Sequence, residues 1–164
     1  ATNARAAVAS SRAHIWMAEI QCTFERGTDN QITGNKIKYV IANSGPTPGF
    51  INKVSTDAYF GPKDSWPDKP IYSNAALDHF GMVRPQGTHQ SEAQTPNAIS
   101  DGDLADIASG KQILVVFGYV TYTDAIDRTV EHTSGFAYRL RFRPASDVSD
   151  RCTYWGPTEY WHYS

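Results

Sequence analysis

A chain of 164 residues with 40% hydrophobic and 20% charged content fits one globular domain, since domains cluster near ~100–150 residues, and this composition excludes general disorder. Fifteen basic against seventeen acidic residues leave a formal charge of −2, which excludes the strongly basic balance that drives nucleic-acid binding by counterion release. The longest apolar run, Ile113 to Val116 continued through Val120, falls far short of the ~20 residues a membrane-spanning helix needs.

In chain order, residues 1–10 lack the charged-then-apolar order of a signal peptide, so any targeting segment is expected to have been removed or never present. His14 to Cys22 reads as a strand whose alternation sets Trp16, Ala18, Ile20 and Cys22 on one face. Arg26 to Gly34 is polar and returns the chain. Lys36 to Ala42 places Ile37, Tyr39 and Ile41 together opposite Lys36 and Lys38, a second half-buried strand. Two prolines and two glycines between Asn43 and Gly49 deny both helix and continuous ladder pairing, so a strand ends there. Phe50 to Phe60 reads as the third strand. Gly61 to Asn97 carries prolines at 62, 67, 70, 85 and 96 and predicts a long irregular crossing between sheets, with Asp78 to Val83 its best extended piece.

Ser100 to Gly110 predicts the one helix, capped by Ser100 or Asp101, with Leu104, Ile107 and Ala108 on one face and Gly110 as its stop. Gln112 to Thr123 is apolar on both alternating faces, the mark of a central strand. Asp124 to Arg128 connects it to Thr129–Arg143, where Phe136, Tyr138, Leu140 and Phe142 point inward and Arg139, Arg141 and Arg143 outward. Strands without long intervening helices cannot build βαβ units. The predicted fold is therefore all-β: an Ig-like antiparallel β-sandwich with one short helix, a single domain over residues 1–164, with a barrel as the alternative.

Chemistry-bearing residues are few. Asp124, Asp127, Glu131 and His132 around the last hairpin are of metal-ligating type, but a turn calls for Asp on its own account, and that reading is preferred. Asp101 and Asp103 read as helix caps rather than a calcium loop. The five histidines have no metal-binding spacing, and no nucleophile-elbow, Walker or dinucleotide pattern occurs. No catalytic residue, metal or cofactor is assigned. Cys22 and Cys152 lack zinc-site spacing and leave two readings open, one long-range disulfide worth roughly 4–5 kcal/mol in the chain-entropy model or two buried thiols. The end of the chain packs Tyr154, Trp155, Tyr160, Trp161 and Tyr163 into ten residues. Such a segment seals a core or forms a binding surface, and Tyr154, Trp155, Tyr160 and Trp161 are the candidate ligand-binding residues.

Several segments taken together resemble the soluble ectodomain of uncharacterised bacterial envelope proteins that carry N-terminal transmembrane helices ahead of an Ig-like sandwich. The resemblance rests on Arg5 to Val8, the turn from Ala42 to Pro48, the strand from Ile107 to Thr123 followed by Asp124, and the returning strand from His132 to Tyr138. Departures are a last hairpin about two residues longer and Ala137 or its neighbour where many relatives place a cysteine, which leaves the disulfide open. The resemblance implies an envelope location, periplasmic or extracellular, and an anchor absent from this chain; it transfers no catalytic residue. The expected function is a non-enzymatic module for binding another protein or for self-assembly. A carbohydrate-binding domain using the terminal aromatics is the alternative, and a metal-dependent hydrolase around Asp124, Asp127 and His132 ranks below it.

Overall fold

The computed structural model describes residues 11–72, 77–94 and 99–161, with the side chains of 77–80, 151 and 159 outside the described set. The motif Arg5 to Val8, Pro96 and Asn97, His162, Tyr163 and the His79 side chain therefore lie outside the described residues. Among those described, the order is β1 (Ile15–Arg26), β2 (Ile32–Asn43), β3 (Gly49–Gly61), β4 (Leu77–Val83), β5 (Thr88–Ala93), α1 (Asp101–Ser109), β6 (Ile113–Asp124), β7 (His132–Phe142) and β8 (Ser149–Tyr154). A three-stranded sheet runs β1-β2-β5 and a five-stranded sheet runs β4-β3-β6-β7-β8, all pairs antiparallel. The fold is all-β, two antiparallel sheets with one short α-helix among the described residues.

The two sheets close on a shared core. Ile37, Tyr39 and Ile41 of β2 face Leu114, Val116 and Val120 of β6 and Phe136, Tyr138, Leu140 and Phe142 of β7. Each such side chain, taken fully out of water, contributes about 1.5–3 kcal/mol. The sheets also meet along one edge, where Phe24 N–H donates to the Asp147 carbonyl (2.8 Å), Cys22 N–H donates to Ser149 Oγ (2.9 Å), and Thr23 bridges to Val148.

β1 departs from simple alternation. The register slips between Met17 and Glu19, a β-bulge that inserts Ala18. Ahead of it Ile15 and Met17 face the core, and beyond it Ile20, Cys22 and Phe24 do. Trp16 and Ala18, expected on the inner face, lie outside it, because one extra residue flips every side chain on one side of the bulge. The Met17 carbonyl accepts the Tyr138 hydroxyl across the core.

The turn after β2 is organised by buried Asn43. Its carbonyl oxygen accepts from His14 N–H (3.1 Å) and Gly45 N–H (2.9 Å), and its amide donates to the carbonyls of Thr47 (2.7 Å) and Val83 (3.1 Å). Helix α1 is set by Ser100, whose hydroxyl accepts from Asp103 N–H while the Asp103 carboxylate accepts from Ser100 N–H, a reciprocal capping box. Gly110 ends it in the left-handed region at φ 80°, where a Cβ is costly.

Two strands differ from expectation. β5 (Thr-His-Gln-Ser-Glu-Ala) is an edge strand, polar but for Ala93, and its sequence carries no apolar face to betray it. β8 extends the ladder where only a covering tail was foreseen.

Candidate functional site

β6 is apolar on both faces, so its outward side chains Ile113, Val115 and Phe117 need a cover of their own. They form a second, smaller core with Ala137 and Tyr160, packed by Tyr59, Trp66, Tyr72, Trp155 and Trp161. Two segments supply the cover, residues 62–72 and the chain leaving β8. Each turns through a short 3-10 helix, Lys63–Ser65 or Thr158–Tyr160, directly after a proline whose fixed φ starts the turn.

Ring contacts, edge-to-face to Tyr59 and Phe117 and tilted to Tyr160, lock Trp66 into the layer. Trp66 lies 5.1 Å from Tyr59, 5.4 Å from Phe117 and 4.8 Å from Tyr160 between ring centres. Trp155 N–H donates to the Ala137 carbonyl (3.1 Å), extending the β7–β8 ladder by one residue, and Trp161 Nε1 donates to the Trp155 carbonyl (3.1 Å).

Above this floor opens a cleft of about 390 Å³ lined chiefly by Lys63, Trp66, Tyr154, Trp155, Pro157 and Trp161. Tyr154 is 63% exposed and leans edge-on against Trp161 at 4.7 Å. Two cations approach the Trp155 ring, Lys63 Nζ at 5.5 Å and Arg139 Cζ at 5.1 Å from its centre. Burial, and after it the neighbouring charge of Arg141, holds the Arg139 guanidinium below its ordinary range.

The structure thus brings Tyr154, Trp155 and Trp161 together and separates Tyr160 from them in role. Tyr160 is 0% exposed, and its hydroxyl donates to the Pro67 carbonyl at 3.0 Å. A side chain wholly beneath the layer offers a ligand no surface, so its assignment as a contact residue is corrected: it anchors the floor. Burial first, then Tyr72 and Asp68, push its hydroxyl up to about 12. Lys63, Trp66 and Arg139 were not among the candidates. The signal that points to them is the doubly apolar β6, which demands a covering layer, together with the aromatics in the proline-rich segment after β3, which returns to β4 of the same sheet where a crossing between sheets was expected.

The hairpin carboxylates serve the hairpin. Asp124 Oδ1 accepts from Ile126 N–H and Asp127 N–H (both 2.8 Å), and its wholly buried Oδ2 lies 3.6 Å from Arg12 Nε and from His132 Nε2. Asp127 is held below the ordinary carboxylate range, first by the Thr129 hydroxyl and then by its N–H. Glu131 accepts from the Asn52 amide. Among the described residues no three His, Cys, Asp or Glu side chains gather as metal ligands. Cys22 and Cys152 are free thiols in the structure, Cys22 buried and Cys152 half-buried, so the disulfide considered from the sequence is not formed.

No family model matches the chain, and no curated protein matches it. Among solved structures it is similar to a crystal structure of the Northeast Structural Genomics Consortium target SoR45, with 8% identity, a TM-score of 0.45, and coverage of 76% of this chain and 84% of that one. A likeness so slight carries no argument. The resemblance to envelope proteins with N-terminal transmembrane helices is corrected accordingly. The motifs behind it are turn and strand signatures that many β proteins share. The nine-residue α1 spans about 14 Å at ~1.5 Å per residue, against a hydrocarbon core of ~30 Å, and no helix among the described residues is long and apolar enough to cross a membrane. The membrane-anchored assignment is set aside with it.

Proposed function

We propose that this chain is a non-enzymatic binding module, an Ig-like sandwich that docks a segment of a protein partner in the cleft between Tyr154, Trp155, Trp161 and Lys63. The Ig-like assignment is supported by the three-plus-five antiparallel sheets and by crossings between them at residues 44–48, 84–87 and 94–112. The observation that carries the binding reading is Tyr154, a large aromatic side chain 63% exposed at the rim of a cleft whose floor is a packed aromatic core. Rigid aromatics at the rim of a concave surface supply contact area at small entropic cost, which is how interface hot spots are built. Stacking a sugar on Trp155 is less favoured, because Lys63 and Arg139 already approach that ring.

The test is selection of random peptides displayed on phage against the native protein and against its Tyr154→Ala variant. The reading expects peptides that bind the native protein and lose binding to the variant. Peptides that never depend on Tyr154, with oligosaccharides quenching tryptophan fluorescence instead, would replace it with the carbohydrate reading. Sedimentation showing a concentration-dependent dimer abolished by Tyr154→Ala would make the partner a second copy of the chain.

A further inference from the structure

Among the described residues five basic side chains elsewhere meet carboxylates: Arg12 with Asp124, Arg26 with Asp101 and Asp147, Lys36 with Glu25 and Glu92, Lys111 with Asp106, and Arg143 with Asp150. The cations at the aromatic cleft do not. Among the described residues no carboxylate lies within ion-pair distance of Lys63, Arg139 or Arg141, although Asp64 and Asp68 lie on the same connection as Lys63. The alternation of β7 sets Arg139 and Arg141 on one face, and the β7–β8 register puts Arg151 at the position opposite Arg141. Arg139 therefore stands over Trp155 on the outer side of the sheet, with the Arg141 charge beside it.

Resting on the binding reading above, we infer that the protein segment taken by this cleft is acidic, its Asp or Glu side chains pairing with Lys63, Arg139 and Arg141 while its apolar side chains meet Tyr154 and Trp161. Two like charges with no counter-charge among the described residues repel, and a half-buried guanidinium has given up part of its hydration. An incoming carboxylate relieves both costs in one contact, and a bidentate pairing with Arg adds direction. The depressed titration of Arg139, caused first by burial and then by Arg141, agrees with that unrelieved state. The aromatic rims supply contact area with no preference for charge, so the cations decide which segments are accepted.

The experiment uses the same displayed-peptide selection on the full chain. Tyr154-dependent peptides are expected to be enriched in Asp and Glu over the starting library. A synthetic peptide of the winning sequence should bind at least tenfold more weakly to Lys63→Glu and to Arg139→Glu, with a smaller loss for Arg139→Gln, which keeps much of the side chain over Trp155. Raising sodium chloride should weaken it several-fold, as screening shortens the reach of the pairs. Tyr154-dependent peptides of neutral or basic composition, or acidic ones indifferent to both charge reversals, overturn this inference while leaving the binding reading standing. The absence of any Tyr154-dependent peptide overturns both. Circular dichroism and thermal melts of each variant separate lost binding from lost folding.

Discussion

Truncating Tyr160 to alanine tests whether the terminal segment is part of the architecture or a loose covering. The ring is wholly buried, with centres 4.8 Å from Trp66 and 5.6 Å from Phe117, and its hydroxyl bonds the Pro67 carbonyl. Removing a buried aromatic ring costs about 3–5 kcal/mol through lost transfer energy and the cavity left behind. The second core is one residue layer thick and can partly collapse, which places Tyr160→Ala near the lower end, about 3 kcal/mol. Tyr160→Phe keeps the ring and loses only the hydrogen bond, worth about 1 kcal/mol. Tyr154→Ala, at a mostly exposed position, should stay within ~0.5 kcal/mol of the parent. Urea unfolding followed by tryptophan fluorescence reads all three, since Trp66, Trp155 and Trp161 sit in or beside the layer. With urea slopes of about 1–3 kcal/mol/M, the alanine variant should lower the midpoint by roughly 1 M or more. A Tyr160→Ala protein within ~1 kcal/mol of the parent would refute the reasoning, because the floor of the cleft would then owe nothing to the ring beneath it.

At Gly118, a Cβ would stand 1.9 Å from the Ser55 carbonyl oxygen and 2.8 Å from Phe136 Cζ. β3 is paired on both sides and cannot step back, so Gly118→Ala should cost about 3 kcal/mol or more, read as a fall in melting temperature of at least ~5 °C. Asn43→Ala strands the N–H groups of His14 and Gly45 and two carbonyls at once. A loss of roughly 3 kcal/mol is expected, with faster amide exchange at both of those residues, and unchanged exchange would show that Asn43 is not the organiser of the turn. Burial pushes the Cys22 thiol up to about 12, from 9.0 when unfolded, so at pH 8 the thiolate fraction is on the order of 10⁻⁴ and iodoacetamide should label Cys152 well before Cys22. The native state holds this proton longer than the unfolded one. Its contribution to stability is therefore full below pH 9 and is lost as pH rises toward about 12. Equal labelling of both thiols at pH 8 would contradict the burial of Cys22.

Alternation made the inner faces of β2, β6 and β7 legible, because the pleat of a half-buried strand writes its two faces directly into the sequence. Ile37, Tyr39 and Ile41, and Phe136, Tyr138, Leu140 and Phe142, all lie where period two places them. The same rule misplaced Trp16, since no composition signal marks Ala18 as the extra residue of a bulge. The polar edge strand β5 was hidden for a related reason: what defines it is pairing with β2, a long-range property its own six residues do not encode. For the site, Tyr154, Trp155 and Trp161 could be named from local density alone. Lys63 and Trp66, some ninety residues upstream, could not, because only the return of the chain across β6 brings them there.

The location of the cleft follows from the physics of β6. A strand apolar on both faces in an antiparallel sheet leaves one face without a partner sheet, and here irregular chain closes it. A cover one residue thick has two sides. Aromatic rings reach far enough to seal Ile113, Val115 and Phe117, and side chains that large show their other edges to solvent. Lys63 and Arg139 lie against Trp155 and shield part of that surface, which trims the exposed apolar patch and gives it a charge preference together. Core closure and recognition therefore share one layer while relying on different members of it. Loss of Tyr160 should weaken folding and binding together, whereas loss of Tyr154 should touch binding alone.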